Sequence, residues 1–257
     1  MPLHTPRLCT GMVPCPDADL SRESNRNHLD LIEMHSTLRI KNKKIRNWLN
    51  FLLAMLMSIA LVYQTQPSTL AIAPPAKLVD IRSISPNIKL DIRYATKNNF
   101  TKQQLYRQAR CLLKPKVADD LSKVQADLET RGLKLKVYDC YRPLSVQKLM
   151  WKIVNDDRYV ANPANGSRHN RGSAVDVTLV DKSGKELEMP TGFDDFSDRA
   201  HRDYNNVSKA AKENRQALEA AMIKRGFIPL QAEWWHFDAK DWKQSPLMDI
   251  SFEAIPE

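Results

Sequence analysis

Apolar positions along this chain change period several times, and each change marks an element. Over residues 87–94, Ile88, Leu90, Ile92 and Tyr94 occupy alternate positions, which predicts a half-buried strand with Tyr94 as its last core residue. Val117, Leu121, Val124 and Leu128 then recur at helical spacing, behind Pro115, which can open a helix, and ahead of Gly132, which suits its end. Leu133, Leu135 and Val137 return to period two against Lys134, Lys136 and Tyr138, a strand that delivers Arg142 to its own end and stops at Pro143. Past that proline, Val146, Leu149, Met150, Ile153 and Val154 are expected as the buried face of another helix. Val175, Val177 and Leu179 predict a strand whose other face carries Ala174, Asp176 and Thr178, with a hairpin turn at 181–185. A last helix is expected over 207–225, with Ala210, Ala217, Leu218, Ala221 and Met222 turned inward and Gly226 ending it.

Ahead of these elements the pattern is different. Residues 1–33 scatter Pro2, Pro6, Pro14 and Pro16 among polar residues with no sustained period, and read as disordered or as upstream translation before Met34. Arg39, Lys41, Lys43, Lys44 and Arg46 then precede a nearly unbroken apolar run over 48–63, the order of charge and hydrophobicity used for export. That run falls short of the roughly 20 residues of a comfortable membrane span, so it reads either as the apolar core of a signal peptide or as an anchor. Ala71-Ile72-Ala73 has the small-x-small form of a cleavage site, with Pro74 unfavourably placed after it. The expected organisation is a leader with a basic region over 1–47, the signal or anchor over 48–63, a linker over 64–77 and one domain over 78–257. The basic flank stays inside, so the domain is expected in the periplasm, free or anchored to the inner membrane.

Composition adds little beyond class: 42% hydrophobic and 27% charged residues suit a globular domain. The net charge of +9 is spread out, with no lysine–arginine block interleaved with aromatics, so nucleic-acid binding is not expected. Cys9 and Cys15 lie in the leader, whereas Cys111 and Cys140 would meet an oxidising compartment, where they either pair or remain buried thiols.

Asp176 is the costly residue, a carboxylate inside an apolar strand that must be paired, hydrogen-bonded or metal-bound. His169 lies seven residues earlier on a polar, Gly-containing loop that can bring its imidazole back to the same point. The two resemble metal ligands; alternatively His169 is a surface residue and Asp176 pairs with Arg168 or Arg171. Glu233-Trp234-Trp235-His236 supplies a second imidazole and a carboxylate in an aromatic setting, and two histidines with one carboxylate around an open position form a catalytic zinc set. An ideal strand would separate Glu233 from His236, so both reach one metal only if the backbone turns there. Arg142 is either a surface partner of Asp139 or a group that holds a developing oxyanion. Of the carboxylates in 192–198, most are expected to cap turns and one to meet an ammonium, and His201 in its polar run is expected to be structural.

Taken in order, Tyr94-Ala95-Thr96 with Asn99-Phe100, Tyr138 to Pro143, Ser167-x-His169-x-Arg171-Gly172-Ser173-Ala174-x-Asp176, Phe193-Asp194 and Glu233 to His236 resemble the D-alanyl-D-alanine dipeptidase family, which includes the vancomycin-resistance dipeptidases. The likeness runs from about Asp91 to Phe252. It implies an α+β domain with a central, mainly antiparallel sheet flanked by helices, the fold of zinc D,D-peptidases and hedgehog-like domains. It implies one Zn2+ on His169, Asp176 and His236, Glu233 as catalytic acid and base, and Arg142 assisting the transition state. It places the substrate ammonium near Tyr94, Ser167 and Asp194, with a small D-amino-acid dipeptide as substrate. The expected reaction is hydrolysis of D-alanyl-D-alanine to two D-alanines in cell-wall peptide turnover. A zinc D,D-carboxypeptidase trimming longer stem peptides is the alternative, and a metal-stabilised wall-binding module is a third. The export segment departs from the resistance dipeptidases, which act inside the cell.

Overall fold

The computed structural model describes residues 43–64 and 77–256, without the side chains of 43–46 and 58–64. The rest of the leader, the linker and the 71–73 cleavage motif lie outside the described residues. Helix α1, Lys43–Gln64, covers the apolar run and is described by itself. Among the described residues no helix is long and apolar enough to cross a membrane.

The unit Ile72–Glu257 is built on a five-stranded sheet ordered β2-β4-β5-β7-β6. Its strands are β2 Lys89–Leu90, β4 Leu133–Asp139, β5 Ala174–Asp181, β6 Phe227–Pro229 and β7 His236–Ala239. Only β2 on β4 is parallel; the other pairs are antiparallel. A separate ribbon pairs β1, Val79–Asp80, with β3, Leu112–Leu113. The helices are α2, Pro115–Glu129, α3, Leu144–Ile153, and α4, Lys209–Lys224. This is the mixed, mainly antiparallel architecture expected from the resemblance.

Every residue of β5 but the last is buried, so the face carrying Asp176 is covered as fully as the face carrying Val175, Val177 and Leu179. Leu121, Val124 and Leu128 of α2 and Leu218 and Met222 of α4 belong to the same buried cluster as β4 and β5. Gly132 takes a left-handed φ of 73° and donates to the Glu129 carbonyl, stopping α2 where the sequence predicts.

Three expectations need correction. The strand over 87–94 shrinks to Lys89–Leu90, because the chain leaves β4 and enters a 3-10 turn at Arg93–Ala95 that sends the buried Tyr94 toward the sheet's end. In α3, Val146, Gln147 and Met150 are buried, while Leu149 and Ile153 are 46% and 42% exposed. Gln147 takes an inward position because it hydrogen-bonds Arg142 and the Ala161 carbonyl. In α4 the stripe is Ala211, Arg215, Leu218, Ala221 and Met222, leaving Ala210 outside. There Arg215 points in to satisfy the His201 and Tyr204 carbonyls.

Cys111 and Cys140 form a disulfide that ties the β1–β3 ribbon to the end of β4.

Candidate metal centre and substrate cavity

Asp176 and His236 sit opposite one another on β5 and β7, so sheet register alone brings a carboxylate and an imidazole together. His169 begins a 3-10 turn, His169–Arg171, that ends at Gly172 with φ 62°. A side chain at Gly172 would strike Leu78, so glycine lets this loop fold tightly back into β5. The three residues are 3–4% exposed, and one donor atom from each lies within 4.8 Å of the others. The alternative of a surface His169 beside an arginine-paired Asp176 does not hold.

The hydrogen bonds around the triad fix which atoms face inward. His169 Nδ1 donates to the Cys140 carbonyl at 2.7 Å, and His236 Nε2 donates to Asp238 Oδ1 at 2.9 Å. With those protons placed outside, His169 Nε2 and His236 Nδ1 turn lone pairs toward each other at 3.1 Å. The Asp176 oxygens lie 3.0 Å from His236 Nδ1 and 3.4 Å from His169 Nε2. Three electron-pair donors converging in a buried space need a cation between them. The donor set of two imidazoles and one carboxylate therefore fits a metal such as zinc. The surrounding carboxylates favour positive charge at this point: burial favours a neutral His236, yet hydrogen bonds to Asp176 and Asp238 outweigh it and push the ring up to about 10, so a proton on Nδ1 competes with a metal for the same position. Burial also opposes ionisation of Asp176, but the two imidazoles hold it below the usual carboxylate range.

Glu233 precedes β7 in a turn closed by Glu233 N–H to the Leu230 carbonyl and His236 N–H to the Glu233 carbonyl. That turn is the departure from ideal strand geometry that the sequence required. It brings Glu233 Oε2 to 3.9 Å from His236 Nδ1, with the Glu233 side chain 24% exposed to the cavity. Burial raises its pKa above the ordinary glutamate value, against the opposing pull of His236.

Arg142 combines both sequence readings, since it pairs with Asp139 and yet is buried at the cavity. Its Nε and one terminal nitrogen donate to Asp139 Oδ2 at 3.1 and 2.7 Å, and the other donates to Gln147 Oε1 at 2.8 Å. A register shift between Val137 and Asp139 lets Asp139 stand opposite Asp176, and Tyr106 donates its hydroxyl to Asp139 Oδ1. The guanidinium lies 5.0 Å from the Tyr94 ring centroid. Burial would lower the Arg142 pKa, but Asp139 outweighs it and keeps the group charged.

A cavity of about 280 Å³ opens on the triad and on Arg142, Glu233, Tyr94, Ser167 and Asp194. Tyr94 donates its hydroxyl to the Asp194 carboxylate, 3.1 and 3.2 Å from its oxygens. Asp194 adopts a left-handed φ of 61°, an unusual conformation for a residue with a side chain and one that often marks functional strain. Burial raises its pKa well above the ordinary aspartate value. Ser167 Oγ accepts from the His169 N–H at 3.3 Å. Thus every residue named in the sequence as a site candidate lines this one cavity, while His201 stands apart beside Asp198 and is 41% exposed at its side chain.

Sequence reasoning missed the aromatic wall, where Phe196 lies 5.3 Å from Phe100 and 5.0 Å from Tyr159 by ring centroids. It also missed Asp238 as the partner of His236, although two residues apart on one strand means the same face.

A family described as D-ala-D-ala dipeptidase matches residues 75–253. The chain is 38% identical over 179 residues to the D-alanyl-D-alanine dipeptidase of Escherichia coli K12, covering 70% of this chain and 93% of that protein. It is 29% identical over 175 residues to the D-alanyl-D-alanine dipeptidase of Enterococcus faecium, covering 60% of this chain and 87% of that one.

Proposed function

Because this chain belongs to the D-ala-D-ala dipeptidase family and is a metallopeptidase, we propose that it hydrolyses D-alanyl-D-alanine to two D-alanines at a zinc centre in the periplasm. The observation that carries this reading is the convergence of His169, Asp176 and His236 beside Glu233, in a cavity that also holds Asp194.

A zinc ion held by His169, Asp176 and His236 would supply a Lewis acid and lower the pKa of water to about 7. Glu233 takes the proton of the attacking water at its carboxylate and returns it to the leaving amine nitrogen, a role suited to a carboxylate whose pKa is raised by burial. Arg142 faces the oxygen that becomes negative. Its clamp by Asp139 and Gln147 means that no reorganisation is needed as charge develops. Asp194, oriented by Tyr94, binds the substrate ammonium, and Ser167 lies beside His169 to orient the dipeptide. An anion at that position serves a free amino terminus and has no partner on a longer peptide. A periplasmic location is supported by the basic and apolar leader and by the Cys111–Cys140 disulfide.

The test is D-alanine release by the zinc-loaded chain from D-alanyl-D-alanine, from its N-acetylated form and from a wall pentapeptide. Turnover of the free dipeptide alone is expected. Equal turnover of the blocked or longer peptides would make the enzyme a D,D-carboxypeptidase and remove Asp194 from its role.

A further inference from the structure

We propose that the Cys111–Cys140 disulfide is part of the metal centre's support, so that the chain reaches full metal affinity only after oxidation. The inference rests on the reading of His169, Asp176 and His236 as metal ligands.

Cys140 lies between two residues of the site. Asp139 before it clamps Arg142, and its own carbonyl accepts the Nδ1 proton that fixes the His169 tautomer. Beyond β4 the chain over 140–143 has left the five-stranded sheet. It is held by Tyr141 N–H on the Leu112 carbonyl, by Arg142 N–H on the His169 carbonyl and by Asn170 Nδ2 on the Arg142 carbonyl. The last two come from the His169 loop itself, which is in turn held by Lys114 N–H on the Gly172 carbonyl and Met248 N–H on the Asn170 carbonyl. Outside that loop the segment is anchored by the Leu112 carbonyl, by the Tyr141 hydroxyl, which donates to the Ile250 carbonyl and accepts from the Ile250 N–H, and by the disulfide, the only covalent cross-link among the described residues. The Leu112 carbonyl and the disulfide reach the β1–β3 ribbon, where Ile81 N–H donates to the Cys111 carbonyl. Breaking the S–S bond leaves one backbone hydrogen bond between the ribbon and the segment that orients a metal ligand.

Both cysteines are no more than 1% exposed, which makes the bond durable once formed. Its formation needs a disulfide-bearing oxidant. One cysteine thiolate attacks that disulfide and forms a mixed disulfide, and the second attacks the chain's own sulfur in it and expels the oxidant's remaining thiolate. The chain gives up two electrons and two protons and the oxidant leaves as a dithiol. Where thiols stay reduced, the chain carries a weakened metal centre and is a poor hydrolase.

The test uses the full chain as oxidised wild type, as C111S/C140S and as Leu128→Ala. Leu128→Ala removes a fully buried side chain of α2 and serves as a destabilised control. Zinc and cobalt(II) affinities are read by competition with a chromophoric chelator, together with the visible spectrum of the cobalt(II) form. The cysteine double variant should bind both metals about tenfold or more weakly, the size of effect seen when a ligand's supporting partner is disturbed, and should shift the cobalt spectrum. Leu128→Ala should lower the unfolding temperature with affinity and spectrum unchanged. The proposal is overturned if the double variant binds as tightly as wild type, or if Leu128→Ala weakens binding equally. Cys111→Ala cuts the bond without altering residue 140, and it gives the same comparison if the double variant does not fold. A wild type that binds neither metal would overturn the reading of the triad instead.

Discussion

Asp194→Asn is the sharpest perturbation of the proposed substrate contact. The Asp194 carboxylate is oriented by Tyr94 within a small cavity, so an ammonium placed against it forms a largely desolvated charge pair. Truncating one partner of such a pair costs about 2 to 5 kcal/mol. The Asn carbonyl still accepts from Tyr94 and from a substrate N–H, which places the loss toward the lower limit, about 30- to 100-fold in kcat/KM. The assay is a four-cornered cycle of wild type and Asp194→Asn, each with D-alanyl-D-alanine and its N-acetylated form. Acetylation should cost wild type about the same factor as the substitution, and should cost the variant little more. If the variant loses an equal factor on both substrates, Asp194 is scaffold and the amine-reading argument fails. Stability gives an independent check. Burial raises the folded-state pKa of Asp194 above its unfolded value, so this group favours the folded state only while protonated. Metal-free wild type should therefore lose stability relative to Asp194→Asn as pH rises through and above about 4, the ordinary aspartate value. Below that pH the difference between the two should no longer change with pH.

Glu233→Gln should retain metal by chelator competition and lose about 10²- to 10⁴-fold in kcat, whereas near-normal turnover would remove Glu233 from proton transfer. In the wild type, the acid limb of kcat/KM should lie above the ordinary glutamate range, because burial raises Glu233 and activity needs its carboxylate ionised. Asp238→Ala frees the Nε2 proton of His236, and metal affinity should fall about 10- to 100-fold; unchanged affinity would make Asp238 a bystander. Arg142→Lys keeps the charge but loses the two-nitrogen grip on Asp139 Oδ2, so kcat should fall with KM nearly constant, and a pure KM effect would reassign Arg142 to ground-state binding.

Much of the fold was legible because period reports burial directly. The helix at Pro115–Glu129 and the strands at Leu133–Asp139 and Ala174–Asp181 follow from their apolar spacing. The errors share one cause. Gln147 and Arg215 are polar residues on inward faces, placed there to satisfy Arg142 and loop carbonyls, and a hydrophobic pattern assigns such residues to solvent. The missed end of the first strand is similar, since Tyr94 leaves the alternation to reach Asp194, a partner 100 residues away.

The site divides along the same line. His169, Asp176, Glu233 and His236 could be found because ionisable groups stand out against apolar or aromatic neighbours, where burial demands a reason. Of their supports, Asp139 was legible only as a partner of Arg142 and Asp238 only by its place on the same strand face as His236, while a backbone carbonyl such as that of Cys140 carries no mark in the sequence. Yet these supports decide what the proposed ligands can do. The protons placed on His169 Nδ1 and His236 Nε2 by Cys140 and Asp238 are what turn two imidazole lone pairs inward. A chain that kept the four ionisable residues but lost those two acceptors would still match the sequence pattern, and its imidazoles would be free to present protons to the centre. Metal affinity, measured apart from catalysis, therefore distinguishes a preserved motif from a preserved site.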